Sequence, residues 1–150
     1  MAGLDKCVVG WRAWRVVGRR GELRLASVLR DDVWQPGRPF EAGCEHGHEA
    51  PEPGCGCGAY GSRLATVALR YVVGRDDPWV VHRVVGEVAL WGRVVEGGLG
   101  WRAGLAYPVR IWVPRGRSDV VEGLRSYGVP VALEPGMASA SPPRPDSFAR

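Results

Sequence analysis

Residues 44–58, CEHGHEAPEPGCGCG, gather three of the chain's four cysteines and two of its three histidines into one short stretch. Thiolates and imidazoles at that density are the donors of a metal site. Cys44, His48, Cys55 and Cys57 form the pattern C-x3-H-x6-C-x-C, which supplies three sulfurs and one ring nitrogen, enough to close a tetrahedral shell around Zn²⁺. His46 competes with His48, because Gly47 between them lets either ring turn inward. Gly54, Gly56 and Gly58 remove the bulk that would resist folding the backbone around two neighbouring thiolates. Glu45, Glu49 and Glu52 oppose an anionic site and are expected to face solvent. An iron or iron–sulfur site and free redox thiols are the competing readings.

Four protein ligands leave no open position for water, so the spacing favours a structural metal over a catalytic one. A catalytic zinc would need one ligand fewer, with Glu45 or Glu49 as base, as in zinc deaminases. Here PGCGC departs from their P-C-x2-C spacing, and His48 stands two after His46 where that pattern has Glu. Gly56-x-Gly58-x-x-Gly61 matches the glycine fingerprint of dinucleotide sites, yet EAPEP stands where a buried strand should feed it. No phosphate-binding G-x4-G-K-[ST] occurs, and His82 lies in an apolar run with no nucleophile or acid at a recognisable spacing. Asp31-Asp32 and Asp76-Asp77 read as turn and capping residues. No catalytic residue is therefore nominated.

In a reducing compartment such a cluster points to metal rather than disulfides, and the N-terminus shows no secretory pattern, so a cytoplasmic protein is expected. No apolar run approaches the ~18 residues of a membrane span. The formal charge is +4, distributed as +3 over residues 1–43, −3 over 44–60, +3 over 61–135 and +1 over the tail. The Cys/His loop is thus an acidic patch on a basic body, and a basic body attracts phosphate backbones. Nineteen of the twenty basic residues are Arg, which a compositional bias would also produce.

The elements that must position the cluster form one domain over residues 1–135, with a Ser/Pro-rich tail, 136–150, expected to be disordered. Residues 6–17 and 22–29 read as a hairpin across Gly18–Gly21. From 30 to 61 the chain is rich in Pro and Gly, a loop of the length that needs tying down. Leu64, Val67, Ala68 and Tyr71 fall at helical spacing, predicting a helix over 62–73 with Ser62 as N-cap and its positive end near Cys57. Two β-branched runs, 79–96 and 101–113, should pair across the glycine-rich turn 97–100, with Gly86 and Gly92 as bulges or close approaches. A second helix, 118–127, ending at Gly128, precedes the short strand VPVAL. The expected class is α+β: an antiparallel, bent sheet or partial barrel with two helices and a zinc-stapled loop. The tetrapeptide GWRA occurs at Gly10–Ala13 and again at Gly100–Ala103, as adjacent strands, a relic of duplication, or chance.

Tryptophans and tyrosine alternate with arginines along these strands: Trp11, Trp14, Trp91, Trp101, Trp112 and Tyr107 with Arg12, Arg15, Arg93, Arg102 and Arg110. Alternation sends a Trp and its neighbouring Arg to opposite faces, giving either a Trp core under an Arg coat or a face on which bases or aromatic side chains stack. Trp11, Arg12, Arg93, Trp101, Arg102 and Tyr107 are the candidate binding residues. The favoured function is a non-enzymatic binding module contacting nucleic acid or a partner protein. A zinc-dependent enzyme using the Cys/His loop and a structural assembly subunit are the alternatives, and oligomeric state stays open.

GWRAWRV, HEAPEPGCGCGAY and VVGEVALWGRVVEGGLGWRAGLAYP, taken in that order across most of residues 10–113, resemble a group of small uncharacterised bacterial proteins. The resemblance implies that Cys44, His48, Cys55 and Cys57 belong together, and it groups Trp91, Gly92, Arg93, Tyr107 and Pro108. It brings no activity with it. The turn 97–100 departs from the group, which carries a more charged turn there.

Overall fold

The computed structural model describes residues 7–19, 21–72, 80–114 and 117–133. The apolar run VVGWRAWRVV forms β1 (Val8–Val17), which folds back on β2 (Arg24–Ala26), and β2 pairs in turn with β3 (Val33–Trp34). Two short strands follow in the Pro/Gly-rich stretch, β4 (Phe40–Glu41) and β5 (Ala59–Ser62), then one helical turn and a half, α1 (Ala65–Leu69). The two β-branched runs become β6 (Val80–Glu96) and β7 (Gly100–Val113), and α2 (Ser118–Leu124) with a 3-10 turn leads to β8 (Val131–Leu133).

All pairings are antiparallel except β7 with β8. β6 lies between β1 and β7. On its far edge β7 carries β5, β4 and β8 in succession. Ser62 at the end of β5 also pairs with Trp11 of β1, so the path β1–β6–β7–β5 bends back on itself as a partial ring. The expected mostly-sheet fold with two helices and a bent sheet is therefore what forms. The bend has local causes. Gly92, with φ of 75°, sits inside the register shift between Trp91 and Val94, where its lack of a side chain permits the left-handed turn of a bulge.

The ring interior is filled by Trp14, Leu25, Trp34, Leu90, Ile111 and Leu124, each nearly or fully inaccessible to water. Trp34 meets Trp14 edge-on at 5.6 Å between centroids and stacks on Phe40 at 4.6 Å, and each such pair adds about 0.5–1.5 kcal/mol beyond its burial. A second cluster lies on the opposite face, where Ala65 and Ala68 of α1 cover Val85 and Trp112, with Trp11 stacked on Trp112 at 5.8 Å.

The first helix is shorter than its periodicity predicts. Ser62 does not cap it but ends β5, held between Trp11 and Gly100, so the helix cannot begin until residue 65. Its buried face is Ala65 and Ala68, while Leu64 and Tyr71 are exposed. The second helix forms as expected and stops at Gly128 in the left-handed conformation. The tail, 136–150, lies outside the described residues.

Tyr127 ties three elements together. Its hydroxyl accepts the Leu25 N–H at 2.7 Å and donates to the Trp34 carbonyl, and burial pushes its pKa up to about 12. Tyr127→Phe leaves a buried N–H and a buried carbonyl without this partner and is expected to lower stability by about 1–3 kcal/mol in a urea melt, with the m-value unchanged.

Candidate metal centre and the adjoining groove

The chain from Cys44 to Cys57 makes two turns that face each other. The Gly47 N–H donates to the Cys44 carbonyl at 3.2 Å, and Gly47 itself adopts φ of 84°, which sends His48 back over Cys44. The Cys55 N–H donates to the Glu52 carbonyl at 2.9 Å, closing the second turn. As a result Cys44, His48, Cys55 and Cys57 bring one donor atom each to within 4.8 Å of one another.

Cys44 Sγ lies 3.4 Å from His48 Nε2 and 3.8 Å from Cys55 Sγ, and Cys57 Sγ lies 3.9 Å from His48 Nδ1. With metal–sulfur bonds of ~2.3 Å and metal–nitrogen bonds of ~2.0–2.1 Å, the edges of a tetrahedron come to roughly 3.6–3.8 Å, so these donors stand near bonding positions. His48 Nδ1 donates to the Glu49 carbonyl at 3.2 Å, which fixes the ring with Nε2 toward Cys44 Sγ. The group can therefore hold a metal ion.

His46 points elsewhere. Its side chain is 66% exposed and lies 3.8 Å from Glu45, and what it gives the cluster is its backbone N–H, which donates to Cys44 Sγ at 3.4 Å. The thiols are tuned by their own loop. Burial pushes Cys44 up against the pull of that N–H, while the backbone N–H of Cys57, aided by His48, lowers Cys55 to about 7. His48 is raised, chiefly by its bond to the Glu49 carbonyl. The helix does not follow directly on the cluster as expected, because the chain passes through β5 between Cys57 and α1.

Arginines fasten the loop to the sheet. Arg102 Nη1 donates to the Cys57 carbonyl at 2.7 Å and to the Glu52 carbonyl at 3.3 Å, and Arg93 Nη2 lies 3.7 Å from the Glu52 carboxylate. Glu52 is thus engaged rather than turned wholly to solvent. Tyr60 Oη donates to the Gly56 carbonyl at 2.5 Å, and Tyr107 Oη accepts the Gly37 N–H while donating to the Tyr127 carbonyl, each at 2.7 Å.

Four of the six candidate binding residues, Trp11, Arg12, Trp101 and Arg102, border one groove of about 690 Å³ beside this loop. Arg93 and Tyr107 are occupied as just described. On the edge of β1 away from β6, β2 ends opposite Arg15 and β5 reaches β1 at Trp11, which leaves Arg12–Trp14 unpaired on that edge. The groove opens at that split. Arg12 shares the inward face of Trp14 instead of joining an outer Arg coat, because its guanidinium fills the gap and packs 4.7 Å from the Trp34 ring. Trp14, Trp34 and Trp112 are buried, whereas Trp11, Trp91 and Trp101 are partly covered.

The sequence reading passed over Tyr60, Ser27, Leu29 and Leu99, which also line the groove. Leu99 carried a signal, since it is a lone large apolar residue in a glycine-rich turn, whereas Leu29 read as the end of the strand 22–29. Among the described residues no helix is long and apolar enough to cross a membrane. A scan of protein-family models and searches of curated proteins and of solved structures found no match to this chain.

Proposed function

We propose that the chain is a non-enzymatic binding module in which Cys44, His48, Cys55 and Cys57 hold a structural Zn²⁺, and in which the groove beside that staple takes single-stranded nucleic acid. The convergence of three sulfurs and one imidazole supports zinc, because this donor set closes a four-coordinate shell and leaves no position for a reacting water. The metal's work is to shape the loop that carries Gly56, Gly58 and Tyr60 to the groove.

The carrying observation for the ligand is the pairing of arginines with accessible rings. Tyr60 is 51% exposed with the Arg102 guanidinium 6.0 Å from its ring centroid, and Arg63 lies 4.6 Å from that of Trp101. Rings backed by guanidinium groups are stacking platforms for bases, and Arg30 at the rim adds an exposed positive charge.

Arg93 and Arg102 hold the metal loop, so substituting them confounds binding with folding. Arg30→Ala is cleaner, and Tyr60→Ala, which also loses the bond to the Gly56 carbonyl, is read beside its metal content. In anisotropy titrations of a labelled single strand, Tyr60→Ala is expected to weaken binding roughly 5- to 100-fold, the range of one lost base stack. Arg30→Ala should reduce the slope of log affinity against log salt by about 0.7. Absence of binding by the parent protein at low salt removes the nucleic-acid reading and leaves a partner protein as the groove's occupant.

A further inference from the structure

Arg12 is partly buried and sets its guanidinium at the floor of this groove, where no carboxylate among the described residues bonds it. Nη1 donates to the Tyr60 carbonyl at 2.9 Å and Nη2 to Ser27 Oγ at 3.1 Å, both uncharged acceptors. The Trp34 and Trp14 rings lie 4.7 and 5.9 Å from the guanidinium carbon. Nε is buried with no hydrogen-bond partner among the described residues. Burial lowers the pKa to about 10 against the opposing effect of Asp32, so the group is still a cation at neutral pH.

A purely structural clamp accounts for the two Nη bonds, since they bridge the end of β2 to the start of β5. It does not account for a partly buried cation, its Nε shut from water, that has no bonded carboxylate among the described residues and stands at the floor of an open groove. Covering an ion without a bonded counter-charge is unfavourable, and the cost falls when an anion arrives with its own charge to pair. The groove's volume is that of a small-molecule pocket rather than of a channel for a long strand. Its wall offers Tyr60 and Trp101 as flat surfaces, and its mouth is flanked by Leu29 and by Leu99, which is 73% exposed. Asp32 and Glu96 also border it, and Glu96 is engaged by Arg63.

We propose that Arg12 is an anion receptor and that the groove takes one nucleotide unit, its terminal phosphate reaching Arg12 and its base lying against the aromatic wall. This rests on the nucleic-acid reading above and adds which part of a strand is bound. The same chemistry is presented by a free nucleoside monophosphate and by the 5′-phosphorylated end of a short strand.

Calorimetric titration of the full chain with adenosine, adenosine monophosphate and a tetranucleotide bearing either a 5′-phosphate or a 5′-hydroxyl separates these sources. The phosphorylated form of each pair should bind at least tenfold tighter. Arg12→Met should bind both forms alike, and Arg12→Lys should keep part of the preference. Leu99→Glu, which sets a carboxylate at the mouth without touching the floor, should weaken both phosphorylated ligands severalfold with an unchanged melting temperature, and it carries the test if Arg12→Met fails to fold. Equal binding of phosphorylated and hydroxyl ligands by the parent overturns the anion receptor and leaves the nucleic-acid reading standing. Binding of the monophosphate without either tetranucleotide supports the receptor and overturns the strand. Binding of none of the four overturns both.

Discussion

Cys57→Ser is expected to abolish stoichiometric metal and to lower the melting temperature by roughly 8–16 °C. The serine is nearly the same size, so packing at this buried position, 2% exposed, is little disturbed, and what is lost is a thiolate ligand. A ligand that binds only the folded state stabilises it by about 4 kcal/mol when present at a thousand times its dissociation constant. In a chain of this length each kcal/mol moves the melting point by roughly 2–4 °C. The effect stops short of complete unfolding because the Trp14–Trp34 core and the β6–β7 hairpin do not depend on the loop. His46→Ala is the matched control. It removes an exposed ring while keeping the backbone N–H on Cys44 Sγ, so metal content and melting temperature should hold. Elemental analysis and a thermal melt before and after chelation check both variants. Parent protein that melts at the same temperature with and without metal would overturn the staple.

The two histidines show what was and was not legible in the sequence. Spacing alone left His46 and His48 open, because Gly47 permits either ring to turn inward. The choice is made by the tight turn at Cys44–Gly47 and by the Glu49 carbonyl that orients His48, and both are properties of the folded backbone. The long hairpin and the second helix were legible because local pattern and tertiary environment agree there. At residues 62–73 they conflict. Leu64, Val67, Ala68 and Tyr71 read as a helical stripe, but the pairing of Ser62 with Trp11 and Gly100 takes the first turn into the sheet. The setting of Arg12 was hidden for a related reason. Alternation put it opposite Trp11, which holds, but only the split in the edge of β1 shows that this side is the interior.

The repeated tetrapeptide GWRA acquires a physical meaning at that same junction, and it carries the other large expected effect. The two copies do not pair with each other. They flank β5 from opposite edges, Trp11 opposite Ser62 and Gly100 opposite Ser62, and each places its glycine on the backbone of Gly61. A Cβ at Gly100 would stand 2.0 Å from the Gly61 carbonyl oxygen and 2.8 Å from the Ser62 Cα. Neither atom can swing aside, because both belong to the paired backbone that brings the ring together. Gly100→Ala is therefore expected to cost about 3 kcal/mol or more, the upper part of the range for overpacking, with the hairpin tip forced away from β5. At Gly10 the nearest contact would be 3.0 Å, and Gly10→Ala should cost less, about 1–2 kcal/mol. Gly98, in the same turn as Gly100, has nothing within 4 Å of an added Cβ, so Gly98→Ala should stay within about 0.5 kcal/mol of the parent. Urea melts of the three variants test the ranking. Equal stability of Gly100→Ala and Gly98→Ala would show that β5 does not bridge β1 and β7, and the groove at that junction would lose its frame.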